Sequence, residues 1–195
     1  MPKLSNKRNN RKDVILNSAA ILFKAKGYAA TSMRDLAEEV GIEAASLYNH
    51  ISGKAQILEE IIEKIANDCL SDLQEIEKTD VTSLNKIELF LRAHIKLMIY
   101  RFEEYFVMVN EWIQLENDAL QNFINNRKRY IGRVESILQD GINKGEIKNL
   151  LPYTVVLNLL SCVRGLEFWH RTNKTYTAED MENSMVEQLI GGLRN

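Results

Sequence analysis

The sequence predicts an all-α chain of about nine helices, and three observations carry that expectation. Proline is nearly absent: Pro2 and Pro152 stand alone, so nothing between them interrupts a helix. Apolar residues recur at three-and-four spacing in segment after segment, the period of a helix buried on one side. Gly27, Gly41 and Gly145 fall at segment ends, where a residue at positive φ closes a helix at the least steric cost.

The elements follow in order. Residues 1–10 form a polar tail, and residues 13–25 place Val14, Ile15, Ala19, Ile21, Leu22 and Phe23 on one buried face, with Gly27 closing the helix. Ser32 is an N-cap for residues 33–40, in which Met33, Leu36, Ala37 and Val40 share a side. After the Gly41 turn, residues 44–50 make a short helix and residues 51–54 a break. The next helix carries Ile57, Leu58, Ile61, Ile62, Ile65, Cys69, Leu73 and Ile76 at helical spacing. Thr82 or Ser83 caps a helix to about residue 100, and another spans residues 105–115. Asn117 or Asp118 caps a long one over 119–144 that Gly145 ends, and Pro152 opens residues 152–171 before a last helix over 178–189.

Composition narrows the function. A chain of 195 residues, 45% hydrophobic and 27% charged, has the balance of a soluble globular protein. No apolar run follows the polar, basic residues 1–12, so no secretory leader is expected and a cytoplasmic protein is. The most apolar stretch, residues 150–163, falls short of the roughly 20 residues of a membrane span, and no membrane partner is expected. Cys69 and Cys162 match no zinc, haem or redox spacing and read as small core residues, with no metal and no cofactor expected. The net charge of −2 conceals an asymmetry. Residues 1–54 hold nine Lys and Arg against five Asp and Glu, a net +4, and the remainder is net −6, so an anionic partner is expected at the N-terminal quarter.

That quarter has the parts of a helix-turn-helix: three short helices, a glycine turn and a basic surface. The helix over 44–50 is too polar for a core and too poor in Glu and Lys for an ordinary solvent face, with Leu47 as its inward anchor against Leu36 and Val40. Gly27-Tyr28, Thr31-Ser32-Met33-Arg34-Asp35-Leu36-Ala37, Val40-Gly41-Ile42, Ser46-Leu47-Tyr48-Asn49-His50-Ile51 and Lys54 strongly resemble the TetR, or tetracycline-repressor-like, family over about residues 11–60.

The resemblance implies a helix-turn-helix DNA-binding domain over residues 11–54 and a helical effector-binding and dimerisation domain over 55–195. It implies a homodimer on a double-stranded operator, a repressor by default, released by a small-molecule effector. Thr31, Tyr48, His50 and Lys54 match positions of backbone-phosphate contact, and Ser32 and Arg34 bring helix amides and a cation to phosphate. Ala44, Ala45, Ser46 and Asn49 are the base-reading candidates. Many relatives carry an aromatic at the Asn49 position, so their operators do not transfer. The implied cavity lies among residues 83–144, with His94, Met98, Phe102, Met108, Trp112, Phe123, Arg127 and Tyr130 as lining candidates. For each a place in the core competes, and His94, on a stripe with Leu84, Leu91 and Met98, reads first as a satisfied core histidine. The last two helices are implied to pair with a second copy through Val156, Leu160, Val163, Met181, Met185 and Leu189, with core packing as the competing role. Residues 130–169 look loosely like regulators that sense acyl-coenzyme A thioesters, with multidrug or metabolite sensing as the alternative.

Two rival classes stand beside this reading. Glu167 and His170 form one Glu-x-x-His element, of which helical di-iron bundles use two; the second is missing, which weighs against a metalloenzyme. No phosphate-binding glycine loop, serine elbow or Cys-His dyad is recognisable, so an enzyme is not expected. A helical interaction module that binds no DNA is the other rival.

Overall fold

The computed structural model describes the backbone of residues 3–172 and 175–195 and the side chains of 11–172 and 175–195. Met1 and Pro2, the start of the expected tail, lie outside the described residues. Among those described, the chain forms nine α-helices: α1 Lys3–Lys26, α2 Met33–Val40, α3 Ala44–Tyr48, α4 Lys54–Lys78, α5 Ser83–Tyr100, α6 Phe102–Glu111, α7 Asn117–Asn143, α8 Pro152–Arg171 and α9 Ala178–Leu193. A single 3-10 turn, Trp112–Gln114, follows α6.

Helix α1 departs most from expectation, because the tail expected over residues 1–10 is helical from Lys3. No glycine or proline lies between Lys3 and Lys26, and adding residues to an existing helix is far easier than nucleating one. Val14 and Ile21, assigned to the buried face, are 47% and 48% exposed; Leu16 and Ala20 are buried instead. The core therefore draws on Ile15, Leu16, Ala19, Ala20, Leu22 and Phe23.

Packing divides the chain into two compact units: Met1–Ala66 with Glu103–Phe123, and Asn67–Phe102 with Ile124–Asn195. The first thus takes in residues 103–123, which the sequence division placed in the second domain. Its core joins Phe23, Leu36, Leu47, Ile57 and Ile61 to Val107 and Leu115. Each such side chain contributes about 1.5–3 kcal/mol of apolar transfer.

In the second unit α5 packs against both α8 and α9. Val156 and Val163 are fully buried there, which corrects their assignment to a partner surface: they hold the protomer together. Cys69 is buried as expected, but Cys162 is exposed, because it lies with Ser161 on the solvent side of α8. The chain end is latched by an antiparallel bridge between Ile147 and Arg194, and the Lys148 amide donates to the Leu193 carbonyl at 3.0 Å. Glu146 Oε2 accepts from the Leu84 amide at 3.2 Å, and Thr82 Oγ1 accepts from that of Asn85, so two side chains satisfy the start of α5.

Candidate functional site

Three short-range devices place α3. Ser32 Oγ accepts from the Asp35 amide at 3.1 Å while Asp35 Oδ2 accepts from the Ser32 amide at 2.7 Å, a reciprocal capping box that starts α2. The Ser32 hydroxyl and amide, with Lys26 Nζ 3.0 Å from Oδ1, hold the Asp35 carboxyl well below the usual carboxylate range. At the other end Gly41 turns the chain at φ +70°, and the amides of Gly41 and Ile42 close on the carbonyls of Glu38 and Ala37. Glu43 then begins α3 with its backbone carbonyl, which accepts from Ser46 and Leu47.

Leu47 is fully buried against the core that contains Leu36 and that Val40 flanks, which fixes the rotation of α3. The opposite side presents Ala44, Ala45, Tyr48 and Asn49 to solvent, with Tyr48 54% exposed; Ser46 and His50 are half-buried. Two alanines at the start of the helix leave room for close approach of a duplex, while the Tyr48 hydroxyl and Asn49 amide supply hydrogen-bonding groups. Arg34 stands exposed in the first turn of α2, a cation beside the N-terminal end of that helix.

Two phosphate candidates are placed elsewhere. Thr31 is 2% exposed, and its hydroxyl donates to the Gly27 carbonyl at 2.9 Å, so it closes the turn after α1. Lys54 donates to the carbonyls of Tyr28 at 2.8 Å, Thr31 at 2.9 Å and Ala29 at 3.4 Å, with its ammonium 4.3 Å from the Tyr28 ring centroid. An ammonium has three donors, and the turn uses them all. Lys54 therefore clamps the α1–α2 connection within the protomer. The signal was Gly27 itself: a glycine at φ +85° turns the chain after α1, and the following carbonyls point where a cation satisfies them.

The lining candidates separate between the two units. Met108, Trp112 and Phe123 flank the core of the first, where Trp112 stacks on Phe123 with centroids 5.7 Å apart. His94, Met98, Phe102, Arg127 and Tyr130 belong to the second. His94 is buried, with Nε2 2.8 Å from the Tyr130 hydroxyl and its ring edge-on to Phe90. Burial pushes its pKa down to about 4, so the imidazole is neutral at neutral pH. Met98 is buried as well, Phe102 stacks on His170, and Arg127 is exposed. Glu167 pairs with Arg171, and His170 Nε2 lies 2.8 Å from the Met98 carbonyl oxygen. Among the described residues no three His, Cys, Asp or Glu side chains come together as a metal site.

Residues 15–61 match the family described as bacterial regulatory proteins, tetR family, and residues 80–193 match the tetracyclin repressor-like C-terminal domain. The chain belongs to the TetR family. It is a DNA-binding transcriptional regulator. Among curated relatives, the HTH-type transcriptional repressor KstR2 of Mycolicibacterium smegmatis is 24% identical over 94% of this chain and 91% of its own length. The fatty acid metabolism regulator protein of Bacillus subtilis is 22% identical over 93% of this chain and 94% of its own. Among solved structures, KstR2 of Mycobacterium tuberculosis superposes with a TM-score of 0.86 at 19% identity, covering 95% of each chain. AibR, in complex with isovaleryl coenzyme A and operator DNA, superposes at 0.81 and 23% identity over 92% of this chain and 98% of that one. At these identities the superpositions establish the fold.

In this TetR-family regulator, no helix among the described residues is long and apolar enough to cross a membrane. Of the dimer candidates left after Val156 and Val163, Leu160, Met181, Met185 and Leu189 are half-buried. Sequence reading missed the more exposed apolar residues of α8: Tyr153 at 51%, Leu157 at 42% and Phe168 at 73%. With Leu160 they follow i, i+4, i+7 and i+15, one side of the helix. Helical period reveals that α8 has two apolar sides but not which one the protomer itself covers.

Proposed function

We propose that the chain is a homodimeric repressor that binds a palindromic operator and leaves it when an amphipathic effector, an acyl-coenzyme A thioester, binds the helical domain. The observation that carries the DNA half is the outward side of α3, with Ala44, Ala45, Tyr48 and Asn49 presented by the Gly41 corner and locked in rotation by Leu47. Ala44, Ala45, Ser46 and Asn49 read bases, while Tyr48, His50, Arg34 and the Ser32 end of α2 engage phosphate. Residues 11–54 are the reading head and residues 55–195 the effector and dimerisation domain.

The effector class is supported by the acyl-coenzyme A ligand named for AibR, by the fatty acid regulator among the relatives, and by the buried apolar side chains of Met98 and Phe102. Neutral His94 with the Tyr130 hydroxyl supplies one polar point in that interior. Effector binding tilts α4 and respaces the two heads, since a ligand shifts an equilibrium only through differential affinity for its states.

The test is fluorescence anisotropy on an operator recovered by in vitro selection. Saturating isovaleryl- or palmitoyl-coenzyme A is expected to weaken operator binding about ten-fold or more. Unchanged affinity across short- and long-chain thioesters rejects this effector class and favours a metabolite or drug ligand. Failure to select any operator rejects the DNA reading.

A further inference from the structure

Three places carry the chain from one compact unit to the other: within α4 between Ala66 and Asn67, at the α5–α6 corner between Phe102 and Glu103, and within α7 between Phe123 and Ile124. The corner is abrupt. Helix α5 ends at Tyr100 and α6 begins at Phe102, so Arg101 alone turns the chain, at φ −128° and ψ 45°. A one-residue corner has no slack: α6 cannot shift at its first turn without carrying Arg101 with it.

Both sides of this corner are gripped within the second unit. The Arg101 guanidinium pairs with Asp68, which lies in α4 just beyond the Ala66–Asn67 crossing. From α8, His170 lays its ring on Phe102, with centroids 3.9 Å apart and planes within 5°. Its Nε2 lies 2.8 Å from the Met98 carbonyl oxygen, which only accepts, so that nitrogen carries the proton. Two of the three crossings are thus tied to each other by one ion pair, and one of them is backed by α8.

We infer that the Asp68–Arg101 pair is a regulatory brace that couples the α5–α6 corner to α4, so that effector occupancy in the helical domain changes operator affinity at the head. The brace deepens the effector reading above and rests on it. Helix α4 runs unbroken from Lys54 to Lys78, so a shift imposed at Asp68 travels along a hydrogen-bonded rod to the residue that clamps the turn before α2. The pair stands outside the residues assigned to DNA or effector, so it is a positioning pair. Its side chains are 27% and 44% exposed, a setting in which an ion pair shifts an equilibrium by no more than about five-fold.

The experiment compares full-length wild type with Asp68→Asn, Arg101→Gln and the swap Asp68→Arg/Arg101→Asp. Operator affinity is measured with and without palmitoyl-coenzyme A, and thioester binding by calorimetry. Each single substitution is expected to leave ligand-free operator affinity and thioester affinity within about two-fold while reducing effector-induced release about three- to five-fold. The swap is expected to restore most of the response. Full response in the single variants, or no recovery in the swap, overturns the brace. If wild type neither binds the thioester nor responds to it, the effector reading fails separately, and the brace is decided by hydrogen exchange without ligand. Arg101→Gln is then expected to speed amide exchange in α4 around Asp68 about three-fold or more, reversed in the swap; unchanged exchange overturns it.

Discussion

Lys54 has three donors, and the turn after α1 offers three carbonyls within reach. Replacing it with methionine keeps the apolar stem over Tyr28 but leaves those carbonyls to water. Lys54→Met is expected to lower stability by about 1–3 kcal/mol in urea denaturation. The salt dependence of operator binding is expected to stay within about half a unit of wild type, whereas Arg34→Ala lowers that slope by about 0.9. A drop of a full unit for Lys54→Met would return the residue to the phosphate backbone. His94 makes the second prediction at this scale. Its folded pKa is held down to about 4 against an ordinary 6.5. As pH falls below 6.5 the unfolded chain therefore takes up a proton that the folded chain refuses, and stability declines until about pH 4, where both are protonated. The full loss is about 3 kcal/mol as an order of magnitude, and none of it is expected above neutrality. His94→Gln retains hydrogen bonding toward the Tyr130 hydroxyl without titrating. Its urea midpoint is expected to lose this acid dependence; an unaltered pH profile would show that another group governs it.

At the scale of the element, α3 and its C-cap Asn49 separate folding from reading within six residues. Leu47→Ala is expected to cost about 2–5 kcal/mol of stability because its side chain is fully buried. Asn49→Ala is expected to leave the melting temperature in place while relaxing base preference at one operator position by about 1–3 kcal/mol. Thermal denaturation and binding to single-base operator variants distinguish the two. This element was legible in the sequence because its determinants are local: a capping box, a glycine at positive φ and one apolar anchor. Partners distant in sequence were not. Lys54 was read by position in a motif, whereas its bonds run to the carbonyls of Tyr28 and Thr31, more than twenty residues back in the chain; Thr31 instead bonds locally, to the Gly27 carbonyl. Val14, Ile21 and Cys162 sit at apolar positions that the protomer leaves uncovered, and Val156 and Val163 at positions it covers completely. A period of 3.6 residues names the sides of a helix and is silent on which neighbour meets each. The loop after α7 shows the same limit. A Cβ at Gly141 would stand 2.5 Å from Ile147 Cδ1 and 3.0 Å from Ser83 Cβ, a close approach across three elements that no local pattern announces. Gly141→Ala is expected to destabilise by about 1–3 kcal/mol, with partial recovery in the double variant Gly141→Ala/Ile147→Val; no recovery would place the strain on Ser83 instead.

For the whole molecule the proposed homodimer raises the question of how two heads would address one operator. A five-residue reading helix makes too few base contacts for tight binding alone, so affinity depends on holding a second head at the spacing of successive grooves. Tyr153, Leu157 and Phe168 are exposed on one side of α8 although they are apolar, and covering them removes water without disturbing the protomer core. If this side of α8 forms the proposed dimer contact, Leu157→Glu with Phe168→Glu sets four like charges against one another across its two-fold axis. Both side chains are exposed in the protomer, so the variant is expected to fold, with an unchanged far-ultraviolet spectrum, and to sediment as a monomer. Operator affinity is expected to fall about 100-fold or more, because the second head no longer binds at high effective concentration. Val156→Ala, on the buried side of the same helix, is expected to do the reverse: it lowers protomer stability by about 2 kcal/mol and leaves the dimer intact. A dimer that survives both glutamates would move the interface off this side of α8. The pairing would then have to be sought on another exposed apolar surface, such as Val14 and Ile21 of α1, and the two reading heads would be joined through their own domain rather than through the effector domain.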